Sequence, residues 1–293
     1  MRIFTLCTLL LIAFTSSNAQ NVLSNADTNC ITIMTWNVKL LPSIATFLHH
    51  YPIKRAKLIP EKLIAENPDV ISFQEAFDGT SIRIIRKKLK KFYPYVAGLK
   101  NKVGLTFKKA GGVIMFSKYP IREIESIAYN NSIGIDKIAH KGALLVEVEH
   151  PVKKFQLLGT HMQAGGGKDL KQAQYVQAGE LLKRHEQSGV PQFACGDFNT
   201  KKVDTLLYPK LLSSLNAQDG EINTDLKATS DHLLNDMDTY DPNRRHIIDY
   251  VLLKENGVQP KQVIRSVKQI SERWSKEHQD LSDHNTVILK CYF

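Results

Sequence analysis

Short apolar runs with the character of β-strands recur along most of this sequence, and they constrain its fold more than any other feature. Between them lie stretches in which apolar residues repeat every three or four positions, as on one face of a helix. Such helical patterns occupy residues 55–66, 80–92 and 172–184. The alternation predicts a mixed α/β protein. The strand-like runs cover residues 31–36, 70–73, 112–116, 143–148, 155–158, 193–195, 247–253 and 287–289.

The N-terminus has the pattern of a cleavable secretory signal peptide. Arg2 precedes an apolar run over residues 3–14 that is too short to span a bilayer. The small residues Ser17 and Ala19 then stand where signal peptidase requires them. We expect cleavage after Ala19, so that residues 1–19 are removed and the product is secreted or periplasmic. A short membrane anchor is the alternative interpretation.

The rest of the chain has the organisation of one domain. It contains no internal repeat and no linker rich in proline, glycine or serine, which favours a single domain over residues 25–293. Removal of the signal peptide leaves Cys30, Cys195 and Cys291, and no two of them have the close spacing of zinc ligands. Cys195 lies within an apolar run and is predicted to be a buried free thiol.

Polar side chains stand at the ends of many of these apolar runs. Strand ends that meet at one edge of a sheet would bring them together. Any one of them alone is weak support, since an aspartate after a strand is usually a turn or cap residue and a lone histidine is usually structural. Asp231-His232, in a predicted polar loop, shows that one such pair proves little. The residues that recur at strand ends are Asn37, Glu75, His161, Asp197, Asn199, Asp249, Asp283 and His284.

These residue types suit the hydrolysis of a phosphate ester that is assisted by a divalent cation. Mg²⁺ prefers oxygen ligands and needs only one or two carboxylates. Glu75 is the first candidate ligand, with Asn37 and Asp283 beside it. We expect Mg²⁺ as the cofactor, with Mn²⁺ or Co²⁺ able to substitute for it.

The remaining side chains can be given roles in attack by water. His284 is predicted to be the general base, and Asp249 to hold its imidazole in one tautomer and to compensate its charge. His161 and Asn199 would contact the substrate and stabilise negative charge on the phosphoryl oxygens. Asp197 would orient the water or assist the leaving oxygen.

The same strings resemble the ordered motifs of the endonuclease/exonuclease/phosphatase superfamily, over about residues 31 to 293. The resemblance implies a DNase I-like fold, which is a four-layer α/β sandwich of two mixed β-sheets flanked by helices, and a magnesium-dependent phosphoesterase. The motifs that carry it are Thr35-Trp36-Asn37, Gln74-Glu75, Gly159-Thr160-His161, Gly196-Asp197-Phe198-Asn199, Ile248-Asp249-Tyr250 and Ser282-Asp283-His284.

Further strings resemble the secreted bacterial sphingomyelinases and their neutral animal relatives. They include Gln74-Glu75-Ala76-Phe77-Asp78, His140-Lys141-Gly142-Ala143, and Gly159-Thr160-His161-Met162-Gln163-Ala164. This resemblance implies cleavage of sphingomyelin to ceramide and phosphocholine, with Lys141 as a further substrate-binding residue. It also implies peripheral action on a phospholipid at a membrane surface. We expect a monomer without an obligate protein partner.

One departure from these relatives concerns the segment between Asp249 and Asp283. Secreted relatives often carry an aromatic-rich hairpin there that enters the lipid surface. Here the interval is only 34 positions and Trp274 is its single tryptophan. We therefore predict that Trp274 is a packing residue and that strong membrane insertion is absent.

The superfamily's sheet topology also bears on two cysteines. It implies that the first and last strands are antiparallel neighbours. Cys30 lies seven residues before Asn37, and Cys291 lies seven residues after His284. Both would then fall at the edge opposite the site, and we expect a disulfide between them.

Three other functions remain open. A net charge of +10 favours a secreted nuclease on the same scaffold, because basic grooves follow phosphate backbones. The basic cluster over residues 86–91 indicates either a contact with anionic lipid or nucleic acid, or a solvated helix face. An inositol-phosphate or other phospholipid phosphatase is the second alternative. A non-catalytic binding protein is the third, and the complete set of carboxylates, histidines and asparagines disfavours it.

Overall fold

The computed structural model describes residues 29–42, 51–98, 111–237 and 244–293. The predicted signal peptide lies outside the described residues. The strands in the described residues are β1 (Cys30–Leu40), β2 (Val70–Ala76), β3 (Tyr95–Ala97), β4 (Ile114–Ser117), β5 (Ile121–Ala128), β6 (Gly142–Val148), β7 (Phe155–His161), β8 (Gln192–Asp197), β9 (Ser230–Asp231), β10 (Arg245–His246), β11 (Asp249–Lys254), β12 (Gln262–Lys268) and β13 (Thr286–Tyr292). The helices are α1 (Pro52–Glu66), α2 (Gly79–Leu89), α3 (Gly134–Ile138), α4 (Lys168–Arg184) and α5 (Leu207–Leu215).

The strands form two large mixed sheets and one small one. The first sheet has the order β12-β13-β1-β2-β4-β3, and the second has the order β11-β8-β7-β6-β5. The pairs β1–β2 and β7–β8 are parallel, and the other pairs within these two sheets are antiparallel. Strands β9 and β10 form a separate two-stranded ladder.

Apolar side chains divide the molecule into four layers. The central core lies between the two large sheets, where Ile31 and Met115 of the first sheet share a cluster with Phe193 and Val251 of the second. Helices α1 and α2 cover the outer face of the first sheet, and α4 and α5 cover that of the second. Both faces of the central strands are buried, which explains their nearly continuous apolar runs. The predicted four-layer α/β sandwich is confirmed.

The register of β1 and β13 corrects the predicted disulfide. The two strands are antiparallel neighbours, as expected, but Cys30 pairs with Tyr292, and Cys291 pairs with Ile31. Successive side chains point to opposite faces of a sheet, so the two thiols lie on opposite faces and cannot meet. Both are free, and so is Cys195. Cys195 is buried as predicted, and burial raises the pKa of its thiol to about 12.

Trp274 packs against the protein. Its ring lies beside the cluster under α1, stacks on His278 with centroids 4.9 Å apart, and donates from Nε1 to the Asp280 carbonyl at 2.8 Å. Among the helices of the described residues, none has the length and apolar composition needed to cross a membrane.

Candidate active site

Strands from both large sheets end at one common edge, which we call the rim. β7 and β8 run parallel and end on His161 and Asp197, which are register partners. Strand β11 starts there in the opposite direction, with Asp249 opposite Asp197. Glu75 lies near the end of β2, beside Asn37 of β1. The folding of the two sheets therefore brings together residues that are far apart in sequence.

Asn37 connects carboxylates from the two sheets. Its amide nitrogen donates to Glu75 Oε1 at 3.1 Å and to Asp197 Oδ2 at 3.2 Å. Its amide oxygen accepts the backbone N–H of Lys39 at 3.2 Å. In this arrangement Asn37 positions both carboxylates, and coordination of a cation by its own oxygen stays a prediction.

His161 faces the same two carboxylates. Its Nε2 is 3.4 Å from Asp197 Oδ2 and 4.0 Å from Glu75 Oε1. Burial opposes ionisation of Asp197, but the hydrogen bond with His161 and the charge of His284 hold its pKa well below the usual range. Asp197 therefore stays negatively charged at neutral pH inside a buried site.

His284 and Asp249 form the predicted pair. His284 Nδ1 is 2.9 Å from Asp249 Oδ2, and the two side chains are only 7% and 1% exposed. Burial alone would lower the pKa of the imidazole, but the Asp249 carboxylate outweighs burial, and the pKa is raised to about 10. With Nδ1 engaged by Asp249, Nε2 is the ring nitrogen left for proton transfer.

Asn199 occupies a sharp turn directly after β8. Its backbone N–H donates to Asp197 Oδ1 at 2.8 Å, and its side-chain amide donates to the Met162 carbonyl at 3.0 Å. Its φ of 50° lies in the left-handed region, as does that of Glu75 at 54°. Each such residue costs on the order of 1 kcal/mol, and such strain often occurs at functional sites.

Lys141 lies behind Asn199 and is buried. Its Nζ forms an ion pair with Asp136 at 2.9 Å and donates to the Met162 carbonyl at 3.0 Å, the same oxygen that Asn199 uses. The lysine therefore supports the Asn199 turn and adds positive charge near Asp197. Direct contact of Lys141 with a substrate stays a prediction.

Asp283 forms an ion pair with a lysine side chain of the protein. Its Oδ2 lies 2.6 Å from Lys39 Nζ, and this charge holds the pKa of Asp283 below its usual range although burial opposes it. The structure thus shows Asp283 as the partner of Lys39, and its coordination of a metal stays a prediction. Sequence reasoning missed Lys39, because a single lysine near the end of a strand carries no distinctive signal.

Two further residues that sequence reasoning missed hold the rim in shape. The buried Arg55 guanidinium donates to the carbonyls of Val38, Lys39 and Leu281, which ties the end of β1 to the segment before His284. Thr229 Oγ1 accepts the backbone N–H of Asp249 at 3.2 Å. Arg55 lies within the helical pattern predicted over residues 55–66. The only sequence signal for its role was a charged residue on the face of that helix that is buried.

The dipeptide Asp231-His232 is not in a solvated polar loop. Asp231 is fully buried in β9 and forms an ion pair with Arg245 at 3.1 Å. The neighbouring Ser230 pairs with His284 through an isolated β-bridge. This segment therefore packs against the site as a structural support.

The side chains at the rim fit a hard divalent cation. Glu75 and Asp197 supply carboxylate oxygens within reach of one amide, which is the chemistry that Mg²⁺ prefers. Asp197, Asp249 and His284 also lie close enough for a metal, with one ligand atom of each within 4.8 Å of the others. In that trio the imidazole is already bonded to Asp249, which suits a general base, so we favour Glu75 and Asp197 as the cation's ligands. Buried Asp249 Oδ1 has no hydrogen-bond partner among the described residues.

The chain belongs to the endonuclease/exonuclease/phosphatase family, because the sequence model of that family matches residues 34–284. This match spans every site residue discussed above. Together with its relatives, the family identifies the chain as a phosphoric diester hydrolase.

Its relatives include bacterial phospholipases. The chain is 27% identical over 288 residues to "Phospholipase C" of Staphylococcus aureus, covering 89% of this chain and 85% of the relative. It is 32% identical over 170 residues to "Sphingomyelinase C 2" of Leptospira interrogans, covering 52% of this chain and 27% of that protein. A solved structure of a Staphylococcus aureus beta toxin variant with bound magnesium ions superposes with a TM-score of 0.77, at 24% identity, over 89% of this chain and 99% of that one.

Proposed function

We propose that this protein is a secreted, Mg²⁺-dependent sphingomyelinase that hydrolyses sphingomyelin to ceramide and phosphocholine. The observation that carries the proposal is the meeting of Glu75, Asp197 and His161 with the His284–Asp249 pair at one rim. Relatives named phospholipase C and sphingomyelinase C support a phospholipid as the substrate.

Each side chain has a role that follows from its contacts. His284 Nε2 accepts a proton from the attacking water, and Asp249 stabilises the imidazolium that results. His161 and the Asn199 amide lie where they can stabilise charge on the phosphoryl oxygens. Asp197, held ionised, accepts a hydrogen bond from the attacking water and orients it. The water oxygen bonds to phosphorus as the bond from phosphorus to the ceramide oxygen breaks, and that leaving oxygen takes its proton from solvent. Bound between Glu75 and Asp197, Mg²⁺ would neutralise part of the phosphate's negative charge.

Phosphocholine release from sphingomyelin vesicles, with Mg²⁺ and with chelator, tests the proposal. We expect release that needs the cation and that falls by about 100-fold or more in Glu75→Gln. Glu66→Gln is the matched control, because Glu66 is similarly accessible but forms an ion pair with Lys268, outside the site. If Glu75→Gln behaves like Glu66→Gln, the assignment of the metal ligand is wrong.

Two parallel assays separate the alternative functions on the same scaffold. Nicking of plasmid DNA without lipid turnover would make the protein a nuclease, which the net charge of +10 favours. Phosphate release from inositol phosphates without phosphocholine release would make it a phosphatase. If the wild-type protein hydrolyses none of sphingomyelin, plasmid DNA and inositol phosphates, the interpretation as a non-catalytic binding protein is favoured.

Secretion, monomeric state and peripheral membrane binding are further parts of this proposal. They rest on the signal-peptide pattern at residues 1–19 and on the departure from an aromatic-rich hairpin. N-terminal sequencing of protein from the culture medium should begin at Gln20. Size-exclusion chromatography with light scattering should give one chain per particle.

A further inference from the structure

A basic pocket of about 380 Å³ opens beside the active site and shares Asn199 with it. Its charged walls are Lys171, Lys201, Arg244 and Asp204. Three positive charges against one negative charge give these four side chains a net charge of +2. Such a pocket attracts anions and repels the quaternary ammonium of choline.

Two of these four charges are already used within the protein. Asp204 Oδ1 accepts the N–H groups of Leu206 and Leu207 at 3.0 and 2.8 Å, and these bonds hold its pKa below the usual range. Lys171 Nζ donates to the Asn199 carbonyl. Lys201 and Arg244 form no ion pair with an acidic side chain of the described residues. They are therefore the charges that an external anion would meet.

Exposed apolar side chains lie on the same loop as Lys201. Val203, between Lys201 and Asp204, is 77% exposed, and Leu206 is 41% exposed. The loop is fixed at the rim, because Lys202 donates its backbone N–H to the Ile247 carbonyl, two residues before β11 begins. Cations beside isolated apolar side chains suit the lipid–water interface, where the charge meets phosphate and the apolar group meets acyl chains.

We propose that the basic pocket binds the headgroup phosphate of an anionic membrane lipid that lies beside the substrate. The proposal rests on the proposed function, since it needs a substrate that sits in the same leaflet. Because Asn199 forms a wall of both sites, a lipid in the basic pocket fixes the enzyme with its catalytic rim against the membrane. Activity should then depend on anionic lipid as well as on sphingomyelin.

The test uses the full mature protein and the double variant Lys201→Gln/Arg244→Gln. The matched control is Lys183→Gln/Lys261→Gln, which removes the same charge from exposed positions in the last turn of α4 and just before β12. Co-sedimentation and phosphocholine release are measured on vesicles of phosphatidylcholine and sphingomyelin. The same measurements are repeated with part of the phosphatidylcholine replaced by phosphatidic acid.

We expect the wild type and the control to bind the phosphatidic acid vesicles more tightly than the neutral ones. The double variant should lose about 25-fold in this binding, at about fivefold for each charge. On neutral vesicles all three proteins should release phosphocholine at similar rates. Inorganic phosphate should compete with the vesicles for the wild type and not for the double variant.

Several outcomes would overturn the proposal. One is an equal loss in the control, which would reduce the effect to net charge, and another is unchanged binding by the double variant. Loss of plasmid DNA binding with unchanged vesicle binding would assign the pocket to nucleic acid. The proposed function is tested separately and is wrong if the wild type releases no phosphocholine from neutral vesicles. In that case the sedimentation result still decides whether the basic pocket binds anionic lipid.

Discussion

Replacing Asp249 with asparagine tests the core of the catalytic assignment. Asp249→Asn keeps the size and shape of the side chain but removes a negative charge 2.9 Å from His284 Nδ1 in a buried site. The asparagine can offer its NH₂ group to Nδ1, which would move the imidazole proton to Nε2. Nε2 would then be unable to accept a proton from water.

The size of the effect follows from this contact. Loss of a charge-assisted hydrogen bond costs about 1.5–3 kcal/mol, which corresponds to about 10- to 100-fold in rate. The wrong tautomer adds to this loss, and the expected total decrease in kcat is about 10³- to 10⁴-fold. Because the carboxylate raises the pKa of His284 to about 10, its removal should also lower that pKa.

The pH dependence has a definite sign. An imidazole with a pKa of about 10 holds a proton at neutral pH, so a reaction that needs the free base accelerates as the pH rises. In Asp249→Asn the rising limb of kcat/KM should move to lower pH, while its plateau falls. The assay is phosphocholine release and, in parallel, hydrolysis of bis(p-nitrophenyl) phosphate, at saturating Mg²⁺ over a range of pH.

Asp219→Asn is the control for this experiment. Asp219 is also an aspartate in a buried ion pair, with Arg265 at 3.3 Å, but it lies outside the catalytic cluster. Thermal unfolding of both variants shows whether either has lost its fold. If folded Asp249→Asn keeps a wild-type kcat and pH profile, the assignment of His284 and Asp249 as base and partner is refuted.

Three other perturbations give independent checks on the structure. In Asp69→Asn, the free energy of unfolding measured in urea should fall at neutral pH but match the wild type at a pH below the folded pKa of Asp69. Burial opposes ionisation of Asp69, but the hydrogen bonds with His150 and the Thr32 N–H lower its pKa. The ionised carboxylate therefore stabilises the fold above the unfolded pKa of about 3.9, and this stabilisation is lost as the pH falls through the folded pKa. An unchanged difference between the two proteins at both pH values would contradict this. Arg55→Leu should lower the free energy of unfolding by about 3–5 kcal/mol, because three buried carbonyls lose their donor; a loss near zero would show that these bonds are not stabilising. The protein should migrate identically with and without reductant, and a Cys30–Cys291 bridge found by mass spectrometry would disprove the observed register.

The central elements could be predicted from sequence because they are buried on both faces. Strands β1, β2, β6 and β7 read as continuous apolar runs, and each of them appears close to its predicted position. The edge strands β5 and β12 went unrecognised. They carry charges such as Arg122 and Glu123 on partly exposed faces, so their apolar pattern is broken.

The sequence by itself determined which residues could form the site. Polar groups such as Glu75, His161 and Asp197 at the ends of apolar strands are a local signal, and a sheet gathers strand ends at its edges. Only the tertiary structure decided how these groups pair. A one-residue difference in register separates Cys30 from Cys291, and contacts such as Lys39–Asp283 join positions 244 residues apart. Local periodicity carries no information about such pairings, because they depend on how whole strands align and pack.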